Sequence, residues 1–319
     1  MNSASHSSNL KRISIVASCD ENYAQHLGIM FLSILRNTDN AGLLQFFLIN
    51  NRISPTSLKT IKNLVEPFGA QITIIEAREK PFEHIDTGRY GAESCQRLIM
   101  AEILPADVSQ VVYLDSDLIV IDDICELAVM AGDAPLAAVE NLSPKACRGL
   151  GLRRDSYFNA GVLVANLDYW RAHSIQLKLL SYLRDNQDTI RHLDQCALNG
   201  VFEGKWTRLP QRWNLTVDAF RALKHHYDSN CGYSKQELAE AIASPSIIHF
   251  IGPKKPWLWN CHSEYKAFYD HYKCLSPWKN CPRQDSSFRN ALKSSLALRR
   301  RYRQWDRYKN LDIRPNNIG

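Results

Sequence analysis

Short apolar segments alternate with amphipathic helical segments along the first third of the chain, and this order constrains the fold more than any other feature. The predicted strands are 13–18, 44–50, 72–77 and 111–114, and the predicted helices are 22–38, 55–65 and 97–104. Such β-α-β-α-β alternation predicts an α/β fold, with a mostly parallel sheet and helices on both faces. Sheets of this kind bind ligands at the carboxyl ends of their strands, so the chemistry of the chain is expected there.

The rest of the chain follows this alternation less regularly. Further strands are predicted at 162–167 and 246–251, and further helices at 174–186 and 264–275. The glycine fingerprint G-x-G-x-x-G is missing after the first strand. Its absence argues against an NAD-dependent enzyme.

Length and composition fit an ordinary globular protein. The chain has 319 residues, of which 45% are apolar and 23% charged, enough for one large domain or one domain with an appendage. The first twelve residues lack the apolar run of a secretory signal, and no run of about 18 apolar residues occurs, so a cytoplasmic location is expected. The nine cysteines include no Cys-x-x-Cys pair. Free thiols are therefore favoured over disulfides or a zinc site.

Positive charge is concentrated near the end of the chain. The segment 288–309 holds eight Lys or Arg and one Asp, which accounts for the net charge of +6 and leaves the preceding residues nearly neutral. A near-neutral body argues against nucleic-acid binding. As a helix, the segment would place basic and apolar side chains on neighbouring faces, the layout of an interfacial amphipathic helix. We expect a disordered segment at 1–12, a globular domain at 13–285 and a basic, helical tail at 286–319 that associates with the inner face of the cytoplasmic membrane.

Two carboxylates directly follow the strand 111–114, in the triplet Asp115-Ser116-Asp117. Residues i and i+2 of an extended segment point the same way, so both carboxylates can face one ligand. Paired carboxylates suit a divalent cation such as Mg²⁺ or Mn²⁺, which can bridge to a diphosphate and neutralise a departing nucleotide. A solvated turn is the alternative interpretation of this triplet.

His249 lies near the end of the apolar strand 246–251 and precedes a loop with Gly252 and Lys255. A histidine among apolar residues is more often a hydrogen-bonded core group than a metal ligand. The loop shifts this balance, because glycine lets backbone approach an anion and lysine supplies a charge for phosphate. An imidazole together with two carboxylates would favour Mn²⁺ over Ca²⁺.

Asp20, Asn22 and Tyr23 follow the first strand. Either Asp20 or Asn22 can cap the helix that begins there. The same residues can form a nucleoside site, in which the polar groups contact base or ribose edges and Tyr23 stacks on the base. One capping group can serve both purposes, so both interpretations stay open.

Six motifs in one order resemble glycosyltransferase family 8, which includes bacterial lipopolysaccharide galactosyl- and glucosyltransferases, with glycogenin and galactinol synthase as relatives. The motifs are Asp20–Tyr23, YLDSD, YFNAGVLVANL, LDQCALNG, LPQRWN and HFIGPKKPW. The resemblance covers roughly residues 13–260, and six modest motifs in the right order are together highly specific. It implies a GT-A fold for the domain at 13–285, a retaining mechanism, a UDP-sugar donor and Mn²⁺, with Mg²⁺ as a substitute.

The resemblance also implies roles for individual residues. Asp20, Asn22 and Tyr23 would contact uridine, with Ser116 in the donor site; Asp115, Asp117 and His249 would hold the metal; and Gly252 and Lys255 would meet the diphosphate. The residues implied around the donor sugar are Arg97, Asn159, Ala160, Asp194 and Gln195. Of these, Asp194 and Gln195 are the catalytic candidates. Because Gln195 is an amide and a poor nucleophile, front-face attack is favoured over a covalent glycosyl-enzyme.

Some segments depart from the family pattern or have no role in it. Cys95-Gln96 precedes Arg97 where some relatives have Tyr-Ala, so that wall of the sugar pocket is expected to differ. The segment 143–156 has no recognised counterpart, although family members use this region over the active site. Its arginines Arg148, Arg153 and Arg154 could meet an anionic acceptor, but a solvated basic loop is favoured. The segment 210–214 matches a family motif without an assigned role.

The expected function is therefore retaining transfer of galactose or glucose from a UDP-sugar to a saccharide or glycolipid acceptor, such as lipopolysaccharide, lipo-oligosaccharide or another surface glycan. A nucleotidyltransferase is one alternative, but it usually carries a Gly- and Lys/Arg-rich loop near its start, and none is present. A non-catalytic nucleotide-sugar-binding protein is the other. The apparently complete metal set argues against it.

Overall fold

The computed structural model describes residues 12–86, 94–143, 147, 150–225, 231–261 and 263–285. Its strands are β1 (Ile13–Asp20), β2 (Leu44–Asn51), β3 (Gln71–Glu76), β4 (Gln110–Leu114), β5 (Leu118–Val120), β6 (Leu136–Glu140), β7 (Phe158–Asn166), β8 (Thr207–Arg208) and β9 (Ile247–His249). Its helices are α1 (Glu21–Arg36), α2 (Pro55–Val65), α3 (Met100–Ile103), α4 (Ile124–Val129), α5 (Leu167–Ala172), α6 (Ile175–Asp185), α7 (Leu193–Val201), α8 (Val217–His225), α9 (Lys235–Ala243) and α10 (Lys266–Leu275). The predicted tail at 286–319, the predicted disorder before Arg12 and the predicted role of Arg148 lie outside these residues.

The main sheet has the strand order β3-β2-β1-β4-β7-β6-β8, and β5 pairs with β9 in a second, two-stranded sheet. β3, β2, β1 and β4 run parallel, whereas β7 runs antiparallel to β4 and to β6. The prediction of a mostly parallel sheet is confirmed. The antiparallel direction of β7 was not predicted. Because β7 runs in the opposite direction, its beginning lies beside the carboxyl end of β4, where Leu114 pairs with Val162.

Each face of the sheet buries its own apolar cluster. Along β1, Ile15 and Ala17 belong to one cluster and Val16 to the other, because successive side chains of a strand point to opposite faces. The first cluster includes Leu27 of α1, and the second includes Trp170 of α5. Covering both faces with helices explains why the central strands read as continuous apolar runs rather than alternating ones.

The helix ends follow the expected local chemistry. Ser54 caps α2 by accepting from the Ser57 N–H, with Pro55 in the first turn. The longest described helix, α1, has 16 residues. In the described part of the chain, no helix combines the length and the apolar character needed to cross a bilayer.

Two predicted elements differ from the structure. The predicted helix at 97–104 begins as a 3-10 helix over Gln96–Ile99 and becomes α-helical only in α3. The predicted strand at 246–251 ends at His249, because the chain turns after it towards Gly252, whose φ is +79°. A glycine adopts this left-handed conformation without strain.

Candidate active site

The Asp115-Ser116-Asp117 triplet connects β4 to β5 at the carboxyl edge of the main sheet. β5 pairs antiparallel with β9, with Leu118 in register with His249. This pairing brings the imidazole next to both carboxylates. Two hydrogen bonds hold the backbone of the triplet. The Asp115 N–H donates to the Gly161 carbonyl at 2.9 Å, and the Asp117 carbonyl accepts from the Phe250 N–H at 3.0 Å.

One possible ligand atom from each of Asp115, Asp117 and His249 lies within 4.8 Å of the other two. The Nε2 atom of His249 is 3.1 Å from Oδ1 of Asp117 and 3.8 Å from Oδ2 of Asp115. Two carboxylate oxygens and an imidazole nitrogen suit a first-row divalent cation. The group is therefore consistent with a divalent metal site.

Gly161, in β7, leaves the space that this group of ligands needs. A Cβ atom at this position would lie 2.3 Å from Cε1 of His249 and 2.7 Å from Oδ2 of Asp115. Only a residue without a side chain can therefore pass behind the two ligands. The sequence interpretation did not single out this glycine.

Lys255 contacts the same group through Asp117. Its ammonium contacts the Asp117 carboxylate and donates to the Phe250 carbonyl at 3.0 Å. Burial raises the pKa of Asp117, but the neighbouring His249 and Lys255 outweigh burial and hold that pKa well below its usual range. Burial lowers the pKa of Lys255, and Asp117 more than compensates, so its pKa is raised. The lysine and the carboxylate therefore keep their charges.

Arg97 joins the triplet to Asp194. Its Nη2 donates to Oδ1 of Asp115 at 2.7 Å, its Nε is 2.9 Å from Oδ2 of Asp194, and its Nη1 donates to the Ala160 carbonyl at 2.6 Å. The guanidinium is buried over the Tyr113 ring, 4.4 Å from its centroid. Burial raises the pKa of Asp194 to about 6, although the Arg97 charge opposes this shift.

Gln195 is engaged at both ends of its amide. Its Oε1 accepts from the Ala160 N–H at 3.1 Å, and its Nε2 donates to the Tyr157 hydroxyl at 3.1 Å. Asn159 directs its side-chain oxygen to the Gly161 N–H at 2.9 Å. These contacts tie the beginning of β7 to α7, so this wall of the site is held rigidly.

Asp20 ends β1 and caps α1. Its Oδ1 accepts from the Tyr23 N–H at 3.2 Å, and its Oδ2 accepts from the Asn22 side chain at 2.6 Å. The Tyr23 ring packs edge-on against Trp257 at 5.5 Å, and Trp257 stacks on His26 at 3.5 Å between ring centroids. Burial lowers the pKa of His26 to about 3, so its ring is neutral near pH 7. The aromatic contacts join α1 to the loop that follows β9.

A cavity of about 480 Å³ opens at this edge of the sheet. The predicted site residues that line it are Asp20, Tyr23, Arg97, Asp115, Ser116, Asp117, Asn159, Ala160, Asp194 and Gln195. His249 and Lys255 lie behind this lining, through their contacts with Asp117. Asn22 and Gly252 are not among the lining residues. Ser116 turns its hydroxyl towards the Ser18 carbonyl at 3.4 Å.

Asn214 is a residue of this site to which the sequence interpretation gave no role. It ends a 3-10 helix over Gln211–Asn214, is buried, and places its Oδ1 2.8 Å from Nδ1 of His249. In the sequence, the motif at 210–214 was the signal that could have drawn attention to Asn214. No chemistry could be assigned to that motif from the sequence, because only the folded chain brings it beside β9.

Comparisons with known proteins agree with this geometry. The family model described as "Glycosyl transferase family 8" matches residues 14–261. The chain is 27% identical over 272 residues to general stress protein A of Bacillus subtilis, covering 83% of this chain and 94% of that protein. It is 25% identical over 302 residues to the lipopolysaccharide 1,2-glucosyltransferase of Escherichia coli, covering 91% and 84%. The solved structure of galactosyltransferase LgtC with donor and acceptor sugar analogues is similar, with a TM-score of 0.73, 24% identity and coverage of 83% and 96%.

The match of the family model extends from β1 to the loop after β9, and it includes every predicted site residue. The structural similarity to LgtC confirms the predicted GT-A fold. The group of two aspartates and one histidine is consistent with the divalent metal site typical of such enzymes. The chain therefore belongs to glycosyltransferase family 8, a family of retaining glycosyltransferases.

Proposed function

We propose that this protein transfers a hexose, galactose or glucose, from a UDP-sugar to a saccharide acceptor in an Mn²⁺-dependent reaction, with Mg²⁺ as a possible substitute. The observation that carries the proposal is a single cavity containing both the Asp115 and Asp117 carboxylates beside His249 and the buried Arg97–Asp194 pair. A divalent cation held by the first group would suit a diphosphate, and the second group suits sugar hydroxyls. Two similar proteins, named as a glucosyltransferase and a galactosyltransferase, support this interpretation.

The proposed acceptor is a sugar of lipopolysaccharide, lipo-oligosaccharide or another surface glycan, including a glycolipid. The name of the Escherichia coli relative supports this class. Within the segment 143–156, Arg153 is exposed and pairs with Asp155 at 2.7 Å, while Arg154 donates to the Leu142 carbonyl at 3.2 Å. These contacts favour a solvated basic loop over a binding site for an anionic acceptor.

In this proposal Asp115, Asp117 and His249 hold the cation. When bound, a divalent cation supplies Lewis-acid stabilisation of the diphosphate leaving group. Lys255, whose ammonium lies beside Asp117, adds a fixed positive charge next to the same phosphates. Charge that is already in position when the sugar–phosphate bond breaks stabilises the departing UDP without reorganisation.

Arg97 and Asp194 orient the donor sugar in this proposal. The guanidinium is fixed by Asp115, Asp194 and the Ala160 carbonyl. Both charged groups are therefore positioned before the sugar arrives, which lowers the entropy cost of orienting it. Ionised Asp194 can only accept from sugar hydroxyls, while Arg97 only donates.

Retention is proposed to occur by front-face attack. The bond from the anomeric carbon to the phosphate oxygen breaks as the acceptor oxygen bonds to the same face, through an oxocarbenium-like transition state. The acceptor proton passes to the departing phosphate oxygen. Gln195 is a neutral amide that is hydrogen-bonded at both ends, and Asp194 is paired with Arg97. Neither is well suited to become a covalent nucleophile, which supports this route.

Incubation with a panel of nucleotide sugars and Mn²⁺, following release of UDP, tests the proposal. UDP-galactose or UDP-glucose should be hydrolysed slowly without an acceptor and faster with a sugar acceptor. NMR of the product should show the anomeric configuration of the donor. Binding of UDP-sugars without turnover under any acceptor condition would favour a non-catalytic binding protein, and an inverted linkage would contradict the retaining mechanism.

The basic segment 288–309 is proposed to dock the enzyme on the anionic inner face of the cytoplasmic membrane. Each basic side chain near an anionic leaflet contributes about 1 kcal/mol, so even half of the eight would give reversible binding. Sedimentation with anionic vesicles should pull down the full chain but not a chain ending at Asp285, and salt should weaken the binding. Equal sedimentation of both chains would contradict this role, whereas activity on a soluble acceptor should survive the truncation.

A further inference from the structure

A continuous chain of hydrogen bonds runs behind the metal-binding group. The Gly161 N–H donates to Oδ1 of Asn159 at 2.9 Å, and Nδ2 of Asn214 donates to the same oxygen at 2.8 Å. At its other end, Oδ1 of Asn214 lies 2.8 Å from Nδ1 of His249. The Asn214 amide therefore lies between a residue implied at the donor sugar and a residue implied as a metal ligand.

The direction of every bond in this chain follows from one backbone group. A backbone N–H can only donate, so the Asn159 atom facing Gly161 must be its carbonyl oxygen. The Asn214 atom facing that oxygen must in turn be its NH₂ group, which leaves its oxygen towards His249. An amide oxygen only accepts, so Nδ1 of a neutral His249 must carry the proton. Its Nε2 then presents a bare lone pair towards Asp115 and Asp117.

We infer that Asn214 is a positioning residue, which fixes the tautomer and the ring orientation of His249 for metal binding and couples the metal site to the sugar wall at Asn159. Outer partners of this kind orient metal-ligating histidines and set which nitrogen is metallated. The inference rests on the proposed metal site and adds to it a side chain that touches neither the metal nor the donor.

The surroundings of Asn214 allow its amide little freedom. The residue is 1% exposed, and Gln211 donates from Nε2 to its backbone carbonyl at 3.2 Å. The next residue, Leu215, accepts from the His249 N–H at 2.9 Å and donates to the Ile247 carbonyl at 2.8 Å. Asn214 and His249 are thus held on two backbone segments that are hydrogen-bonded to each other, which keeps the side-chain contact in register.

Two substitutions test the oxygen and the NH₂ group of the Asn214 amide separately. Asn214→Leu has similar size but neither accepts nor donates, whereas Asn214→Asp keeps an acceptor for His249 and loses the donor to Asn159. The first readout is ¹⁵N NMR of the metal-free protein at a pH where the ring is neutral, with His249→Gln identifying the resonances. Wild type and Asn214→Asp should show the Nδ1–H tautomer, and Asn214→Leu should shift towards the Nε2–H form.

The second readout is the affinity for Mn²⁺, measured from the electron paramagnetic resonance signal of the unbound ion. The KM for the donor is measured on the same variants. Loss of an outer hydrogen-bonding partner typically costs 10–100-fold in metal affinity, and we expect this range for Asn214→Leu. Asn214→Asp should bind Mn²⁺ with near-wild-type or higher affinity but raise the KM, because it no longer holds Asn159. Asn166→Ala is the matched control: this asparagine ends the same strand as Asn159, caps α5 and lies far from the site.

The outcomes are distinguishable from failure of the proposed function. If wild-type protein does not bind Mn²⁺, the proposed metal site is wrong, while the tautomer measurement still tests Asn214 alone. Unchanged ¹⁵N shifts and unchanged Mn²⁺ affinity in folded Asn214→Leu would overturn the inference. If that variant does not fold, Asn214→Asp decides: an unchanged donor KM or a loss of the Nδ1–H tautomer would overturn it.

Discussion

Two clusters in this protein contain carboxylates paired with basic side chains, but the clusters differ in whether a carboxylate oxygen stays accessible to a ligand. At the candidate active site, Asp115 and Asp117 lie beside basic side chains and an imidazole. At the far edge of the sheet, Glu140 at the end of β6 pairs with Arg208 of β8. In both clusters a glycine passes close behind the carboxylate, and a Cβ on Gly232 would lie 2.3 Å from Oε2 of Glu140.

The difference lies in the partners of the carboxylate oxygens. The backbone nitrogen of Gly232 lies 3.2 Å from Oε1 and 2.9 Å from Oε2 of Glu140, and Nε of Arg208 lies 3.2 Å from Oε2. The Glu140 side chain is 0% exposed. Oδ1 of Asp115 pairs with Arg97, while its Oδ2 lies 3.8 Å from Nε2 of His249. The Asp115 side chain lines the cavity and is 26% exposed. The two clusters therefore differ in one respect: Asp115 keeps an oxygen open beside a cavity, and Glu140 does not.

The largest effect is expected for Asp117→Ala. The substitution removes one ligand of the proposed metal and leaves Lys255 without its carboxylate partner. Loss of one electrostatic contact to a developing charge typically costs about 10²–10³-fold in turnover, and removal of a metal ligand should cost at least as much. Donor hydrolysis in excess Mn²⁺ and direct Mn²⁺ binding measure the effect.

Thermal unfolding is the control for Asp117→Ala, because a folded but inactive variant is required. Near-wild-type turnover in excess Mn²⁺ would mean that Asp117 is as closed to ligands as Glu140. That result would remove the distinction between the two clusters.

Gly161→Ala is expected to have the next largest effect. Its methyl group would overlap Cε1 of His249 and Oδ2 of Asp115, so the ligands must move apart. We expect about 10–100-fold weaker Mn²⁺ binding, by analogy with disturbed ligand orientation, and a loss of about 1–3 kcal/mol in stability from overpacking. Titration with Mn²⁺ and chemical denaturation check both effects.

Gly42→Ala is the matched control for Gly161→Ala, because the nearest atom to a Cβ at Gly42 is 4.0 Å away. It should change neither Mn²⁺ binding nor turnover. Unchanged Mn²⁺ affinity in Gly161→Ala would show that the ligand group tolerates displacement, and would weaken its assignment as a preorganised site.

How far each feature could be predicted depends on how local its cause is. The first strands and helices follow from apolar periodicity within each segment. The Asp115–Asp117 pair could be located because it directly follows an apolar strand, although Ser116 and Asp117 form a turn and not the expected extended chain. The antiparallel direction of β7 was not predictable, because it depends on a partner strand far along the chain. The short β6 and β8 at the edge of the sheet were missed for the same reason.

The residues that the family resemblance implies around the donor sugar show a second limit. Arg97 and Gln195 entered only through the resemblance to the family, because an arginine or a glutamine in a helix carries no signal of its own. Asn214 and Gly161 had motif context but no visible chemistry. Their roles arise from contacts with His249, which only the pairing of β5 with β9 brings into place.

Asp194 gives a pH-dependent test of intermediate size. Its pKa of about 6 lies above the usual value of 3.8 because burial disfavours the charge. Turnover at low donor concentration, kcat/KM, should therefore fall as pH drops through about 6, when Arg97 loses an ionised partner. Asp194→Asn should flatten this acidic limb and lower kcat/KM by about 10–100-fold, the equivalent of one charged hydrogen bond.

The sign of the stability effect separates this activity loss from unfolding. A carboxyl whose pKa is raised by folding stabilises the protein below pH about 4 and loses that contribution as pH rises through about 6. Asp194 therefore does not destabilise the fold as the pH falls towards 6. An acidic limb that persists unchanged in Asp194→Asn would assign it to another group.

The smallest effect on activity, and the sharpest test of the comparison, is expected for Glu140→Gln. Burial raises the pKa of Glu140 to about 7 from a usual value of 4.5, and Arg208 offsets only part of the shift. The contribution of this carboxyl to stability is therefore full below pH about 4.5 and is lost as pH rises through about 7. Glutamine resembles the protonated form and can still accept from the Gly232 N–H. Arg208 keeps its contact with the Asp155 carbonyl at 2.6 Å.

Because each pKa unit corresponds to about 1.36 kcal/mol, wild type should lose up to about 3 kcal/mol between pH 4.5 and pH 8 that Glu140→Gln retains. Denaturant unfolding of both proteins across this range measures the difference, and turnover at pH 8 should be the same for both. Identical pH slopes would mean that Glu140 stays ionised throughout. If Glu140→Gln lost turnover without losing stability, Glu140 would belong to the functional groups. The partners of a carboxylate would then not separate a functional carboxylate from a structural one.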